Sequence, residues 1–182
     1  MCIKVDSKNI VQEFDKTQTQ LRIIHEINGI SLALNNNLWL RGGWAIDFLL
    51  GRIIRPHSDI DFVTWIHYRE QLEKALENAG FQIIPVSEFQ TDFIKNGVDV
   101  SIVFVKRSEE GNIIANGFPD WIWRSDALSS KFYNLQGVSV CVLSPHQLLE
   151  EKKVHELGTG RKLRQKDIES MKIIQQIINE VN

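Results

Sequence analysis

The sequence predicts an α+β chain built on a mixed β-sheet, and three observations carry that prediction. Helical periodicity opens and closes the chain, short alternating apolar runs fill its middle, and Asn96-Gly97 and Gln136-Gly137 mark hairpins among those runs. The expected order is helix, strand, helix, strand, helix, then mostly hairpin strands, then helices, which is α+β rather than alternating α/β.

Each element has a local reason. Ser7 to Leu34 reads as a helix, with Ile10, Val11, Phe14, Leu21, Ile24 and Ile27 at helical spacing. Ser7 is placed to cap it, and Gly29 to break or bend its far end. Asn35-Asn36-Asn37 is a turn. Leu38 to Arg41 is a short strand, and Gly42-Gly43 follows at once. Trp44 to Leu50 is helical and closes on Gly51. Asp59 to Trp65 is a strand. Tyr68 to Asn78 is an amphipathic helix with Leu72, Ala75 and Leu76 inward, ended by Gly80. Phe81 to Pro85, Thr91 to Lys95 and Val98 to Val105 are strands, as are Lys131–Asn134 and Val138–Val142. Ser144-Pro145 opens a helix with proline at its first position, continuing to Leu157 and broken at Gly158-Thr159-Gly160. Asp167 to Val181 forms the last helix, with Ile168, Met171, Ile174, Ile178 and Val181 as its buried stripe. A composition shift near Phe118-Pro119 divides the chain into an α/β core (1–117) and a mainly helical segment (118–182).

Composition narrows the function classes. The chain has 182 residues, 43% hydrophobic and 24% charged, which suits one compact domain and excludes a disordered chain. No apolar run reaches the roughly 18 residues of a spanning helix; Leu38 to Leu50 is short and carries Arg41 and Asp47. A formal charge of −2 lacks the basic excess of a protein that tracks a nucleic-acid backbone. The N-terminal MCIKVDSKN has no signal-peptide core. Cys2 and Cys141 are too few for a disulfide framework and lack metal-ligand spacing, so they are expected as reduced thiols in a cytoplasmic protein.

The chemistry concentrates between residues 38 and 61. Asp59 and Asp61 stand two apart on a strand, so both carboxylates share one face, with Cα atoms roughly 6.5–7 Å apart. Ile60 and Phe62 turn to the core. Adjacent carboxylates repel unless a cation joins them, and hard oxygens on a rigid strand suit Mg²⁺. Gly42-Gly43, between a strand and a helix start, lets backbone N–H groups approach a phosphate. Arg41, Arg52 and Arg55 cluster in the same stretch, and guanidinium forks match phosphate oxygens. His57 is a candidate to orient a carboxylate or to bond its own loop. Asp47 can cap, pair with an arginine or support the site. Asp99 lies opposite the apolar alternation of Val98, Val100, Ile102 and Phe104, and is a third acid for metal or base chemistry.

Gly42-Gly43-Trp44-Ala45-Ile46-Asp47, Gly51-Arg52 and Arg55-x-His57-x-Asp59-Ile60-Asp61 together resemble the small antibiotic nucleotidyltransferases. These are the aminoglycoside and lincosamide adenylyltransferases of the DNA polymerase β-like superfamily. The likeness extends more weakly to Phe118-Pro-Asp-Trp-Ile-Trp123, Glu151-Lys152 and Gly160 to Asp167, so it covers roughly residues 38 to 170. Many superfamily members have Gly-Ser where this chain has Gly42-Gly43, which removes one hydroxyl contact to phosphate.

The resemblance implies a nucleotidyltransferase-type mixed sheet flanked by helices. It implies transfer of a nucleoside monophosphate, AMP from ATP, to an aminoglycoside hydroxyl with release of pyrophosphate. By position, Asp59 and Asp61 would bind two Mg²⁺ ions, and Asp99 would complete one of them and take the hydroxyl proton. Gly42, Gly43 and Arg52 would hold the triphosphate. Lys152 would reach the phosphates from the C-terminal helix, with Lys153 as a competitor about 100° away in register. Arg164, Lys166 and Asp167 would stabilise the C-terminal helices. A polycationic drug calls for carboxylates, for which Glu88, Asp92 and Asp120 are the candidates; Trp121 and Trp123 could stack on sugar rings or lie in the core. The partners are an NTP and a small antibiotic, without membrane or nucleic acid, and with room for a homodimer. The alternatives are a lincosamide acceptor, a toxin-like enzyme acting on a protein or tRNA, and a non-catalytic binding module.

Overall fold

The structure is a computed structural model that describes residues 7–117, 120–160 and 162–181. Expectations resting on Cys2, the Ser7 side chain, Phe118-Pro119 and Arg161 lie outside the described residues.

Among the described residues, five α-helices pack around a nine-stranded mixed sheet. The elements run α1 (Ser7–Ala33), β1 (Leu38–Arg41), α2 (Gly42–Leu50), β2 (Asp59–Trp65), α3 (Arg69–Asn78), β3 (Gln82–Ser87), β4 (Gln90–Lys95), β5 (Val98–Arg107), β6 (Ile113–Ala115), β7 (Ile122–Trp123), β8 (Phe132–Leu135), β9 (Val138–Val142), α4 (Pro145–Thr159) and α5 (Gln165–Val181). The strand order is β3-β4-β5-β2-β1-β9-β8, with β6 on the end of β5 and β7 on β6. Strand β2 runs parallel to β5, and β1 parallel to β9; the other pairings are antiparallel. Asn96 and Gly97 (φ 53° and 70°), like Gln136 and Gly137 (φ 50° and 84°), have the paired positive φ of tight hairpins.

One sheet face makes the main core. Leu38, Leu40, Ile60, Phe62, Val98, Val100, Ile102 and Phe104 are buried in one cluster with Leu21, Ile24 and Ile27 of α1 and Leu72 and Leu76 of α3. The other face carries Asp59, Asp61, Asp99 and Ser101, because period-2 alternation sends every second side chain away from that core.

The structure departs from the sequence reading in several places. Helix α1 runs through Gly29 without a break, since a lone glycine costs only about 1 kcal/mol in a helix anchored on both sides. Its first turns project past the core, leaving Ile10, Val11 and Phe14 exposed. Helix α2 begins at Gly42, so the diglycine is its first turn rather than a linker before it. The buried stripe of α5 is Asp167, Ser170, Ile174 and Ile178; Ile168 and Val181 face out. Strands β6 and β7 carry no period long enough to signal them. The sheet also crosses residue 117/118, because β7 pairs with β6, and β9 pairs with β1 at the centre.

Candidate active site

Strand register assembles the acids. In the parallel β2–β5 pair Asp59 stands opposite Asp99, and Asp61 opposite Ser101; across β1–β2, Arg41 stands opposite Asp61. Across β4–β5, Asp92 stands opposite Ser101. One row therefore crosses the sheet as Arg41, Asp61, Ser101 and Asp92. Gln90 closes that row, its amide donating to Asp92 Oδ1 at 2.9 Å and to Ser101 Oγ at 3.1 Å.

The two aspartates of β2 sit at different depths. Asp59 and Asp99 are exposed, while Asp61 is half-buried. Burial pushes the Asp61 carboxyl up to about 6; Arg41 and Lys152 pull it down, and Asp59 and Glu151 push it further up. Gly42 is why Asp61 fits where it does. Its φ of +68° and its missing side chain leave the space that Asp61 takes, for a Cβ there would lie 2.6 Å from Asp61 Oδ2.

A cleft opens above this point between α2, α4 and α5. Arg41, Gly42, Ile46, Asp61, Leu148, Glu151, Lys152 and Ile174 line it. Each cation in it is matched by an acid. Arg41 pairs with Glu151 at 3.0 Å, and burial holds the Glu151 carboxyl above its usual range against the pull of Arg41. Lys152 donates to Asp167 Oδ1 at 2.7 Å, and Arg164 Nε donates to Asp167 Oδ2 at 2.8 Å. Although burial opposes it, these two donors hold the Asp167 carboxyl well below the usual range. Lys153 turns away to Glu150 at 3.6 Å on the surface.

The remaining site expectations divide. Gly43 lies over His57, which is bonded to Asp47 rather than to Asp59 or Asp61. Arg52 lies just past the far end of α2, roughly 13 Å along the helix axis from Gly42; the arginine that comes to the turn is Arg55, whose Nη2 lies 3.3 Å from a Cβ built on Gly43. Asp92 lies in the same row as Asp61, two strands away across Ser101. Glu88 sits at the β3–β4 turn, where Arg69 grips its carbonyl, and Asp120 precedes β7; neither enters the row. Trp123 packs on the core and Trp121 is half-exposed. Sequence reasoning missed the Arg41–Glu151 pair, Ser101 and Gln90. Ser101 and Gln90 come into view through the β2–β5 and β4–β5 registers, and Glu151 through the placement of α4 against Arg41; no local spacing signals them.

The donors suit a hard divalent cation, being anionic oxygens of Asp59, Asp61 and Asp99 on one face of adjacent strands. Among the described residues no three His, Cys, Asp or Glu side chains are drawn into a ready cage. Among the described residues, no helix is long and apolar enough to cross a membrane.

Residues 23–174 match the aminoglycoside-2''-adenylyltransferase family. A 2''-aminoglycoside nucleotidyltransferase of Escherichia coli is 41% identical over 66 residues, which is 36% of this chain and 37% of that protein. One from Klebsiella pneumoniae is 42% identical over 65 residues, with the same coverage. The match thus spans little more than a third of the curated relatives. Among solved structures, the antibiotic-resistance factor ANT(2'')-Ia in solution superposes with a TM-score of 0.75 at 21% identity, over 88% of this chain and 85% of that one. ANT(2'')-Ia in complex with adenylyl-2''-tobramycin gives 0.73 at 22% identity, over 88% and 90%. The lincomycin-bound lincosamide adenylyltransferase LnuA gives 0.64 at 19% identity, over 95% and 98%. These structural likenesses are likenesses of fold, and the fold is that of nucleotidyltransferases. With the family match covering most of its length, this chain belongs to the aminoglycoside-2''-adenylyltransferase family.

Proposed function

We propose that this protein transfers AMP from ATP to a hydroxyl of an aminoglycoside in the cytoplasm, with Mg²⁺ and with release of pyrophosphate. The observation that carries the reading is the Asp59–Asp61–Asp99 face set against the Gly42 end of α2. Asp59, Asp61 and Asp99 would hold two Mg²⁺ ions, which when bound lower the acceptor hydroxyl pKa and offset charge at the α-phosphate. The free N–H groups of the first turn of α2 favour the triphosphate, since a helix N-terminus is electropositive. Arg41 and Lys152 already carry carboxylate partners, so the incoming phosphates would take over their pairing from Glu151 and Asp167. Asp99, at the exposed end beside Asp59, would take the proton as the hydroxyl oxygen attacks the α-phosphorus. The bond from that phosphorus to the bridging oxygen breaks, and the electron pair leaves with pyrophosphate. Asp92, held by Gln90, adds negative charge for a cationic acceptor. In this reading residues 1–117 supply the acids and the diglycine turn. Residues 118–182 cover the nucleotide through α4 and α5, with no nucleic-acid partner.

Pyrophosphate release tests this directly. The protein with Mg²⁺ and ATP is expected to release pyrophosphate with aminoglycosides and not with lincosamides, and Asp99→Asn to slow release about 10²–10⁴-fold. Release that depends on a lincosamide would transfer the assignment to that acceptor. Nucleotide binding without release on any drug would point to a macromolecule.

The two lysines separate cleanly. Removing a charge-assisted contact worth roughly 1.5–3 kcal/mol, Lys152→Ala is expected to raise the KM for ATP about tenfold or more. Lys153→Ala, on the surface with Glu150, should leave it unchanged. Steady-state kinetics with ATP varied decide this, and equal effects would undo the assignment of Lys152.

A further inference from the structure

Beneath the diglycine turn lies a polar cluster that the proposed reaction does not use. Asp47, on the inner side of α2, is 0% exposed, and His57, in the loop leading into β2, is 7% exposed. His57 Nε2 donates to Asp47 Oδ2 at 2.6 Å. The other Asp47 oxygen accepts the Ile54 N–H at 3.4 Å. From α1, the Gln20 amide donates to the His57 carbonyl at 3.1 Å, and the Trp44 ring centroid lies 4.9 Å from the imidazole. A Cβ on Gly43 would stand 2.5 Å from His57 Nδ1, so the imidazole is the floor on which Gly43 rests.

The position of this cluster matters more than its energy. Gly43 is the second residue of α2, and His57 lies two residues before Asp59. One hydrogen bond therefore ties the helix that begins at the turn to the loop that leads into the strand carrying the acids. Stability alone is a poor reason for it, since a buried polar pair is often no better than apolar packing of the same volume. Gln20 Oε1 and Trp44 Nε1, on side chains that both touch His57, are buried without a hydrogen-bond partner among the described residues. An apolar core would carry no such cost.

We propose that Asp47 and His57 form a positioning pair that sets the backbone of Gly43, and with it the nucleotide, against the acids of β2. The inference rests on the reading of the diglycine turn as the phosphate site. His57→Ala, His57→Asn and His57→Gln are compared with the wild-type protein by calorimetric ATP binding with Mg²⁺, by separate KM values for ATP and acceptor, and by thermal melting. His57→Ala is expected to weaken ATP about 10–100-fold, the usual cost of losing an orienting partner behind a site, with the acceptor KM unchanged. His57→Gln, whose amide can still donate to Asp47, should recover most of that loss, and the shorter His57→Asn should not. Gly43→Ala should cost less in a His57→Ala background than alone, because its methyl no longer meets the ring.

A folded His57→Ala protein that binds ATP normally overturns the proposal. So does a parallel loss of ATP affinity, acceptor affinity and melting temperature, which marks a merely structural role. Should His57→Ala fail to fold, equal ATP affinities of the Asn and Gln variants overturn it. A wild-type protein that binds no ATP refutes the phosphate site itself, and that result is seen before any variant is made.

Discussion

Asp61→Asn is expected to abolish transfer and, at the same time, to make the unliganded protein more stable. Loss of a carboxylate that would hold both metal ions removes several kcal/mol of charge stabilisation, or about 10³-fold or more in rate. The gain in stability follows from the opposite side of the same residue. Burial raises the folded-state carboxyl of Asp61 from 3.8 to about 6, so the folded protein binds that proton more tightly than the unfolded chain does. Stability from this group is thus lost as pH rises through roughly 4 to 6, and its ionised form costs at most about 3 kcal/mol at neutral pH. Asparagine keeps the shape without the charge. Thermal melts of the two proteins in buffer without divalent ions should coincide near pH 4 and separate by several degrees above pH 6.5, the variant being higher. Added Mg²⁺ and ATP should then raise the wild-type melting temperature and leave the variant unmoved. A variant that melts below the wild type at pH 7.5 would show that the attraction of Arg41 for the Asp61 carboxylate outweighs its burial.

Gly42→Ala should also lose activity, but with stability moving the other way. Alanine at φ +68° costs about 1–2 kcal/mol of backbone strain, and its methyl would lie 2.6 Å from Asp61 Oδ2. The Asp61 side chain can swing aside at little steric cost, which keeps the protein folded and moves the carboxylate off its line. A displacement of that order is worth about 10²-fold in rate. The expected result is a kcat lowered about 100-fold and a melting temperature lowered by a few degrees. Circular dichroism melts beside pyrophosphate release read both. An unchanged kcat would mean that the place of Asp61 does not depend on Gly42.

The acids of the site were legible in the sequence because strand geometry is local. Asp59 and Asp61 must share a face, and Asp99 must oppose Val98 and Val100, wherever the strands go. The hairpins were legible for the same reason, since Asn-Gly and Gln-Gly carry their turn in their own φ angles. Two-residue and three-residue strands such as β7 and β6 hold too few residues to show a period. Neither could the apolar stripe on α5 reveal that Asp167 is buried, because the reason is a pair of cations brought by α4 and by the segment before α5.

By itself, then, the sequence determined the fold class, the face on which each acid stands, and the glycine turn that marks the family. Tertiary structure alone decided which charge meets which. It set Arg41 on Glu151, Lys152 on Asp167 and His57 on Asp47, and it brought Arg55 rather than Arg52 to the turn. The physical reason is range. Backbone periodicity acts over a few residues and can be read from them. A pair such as Arg41 and Glu151 forms only once β1 has been laid beside β9 and α4 has followed it back across the sheet.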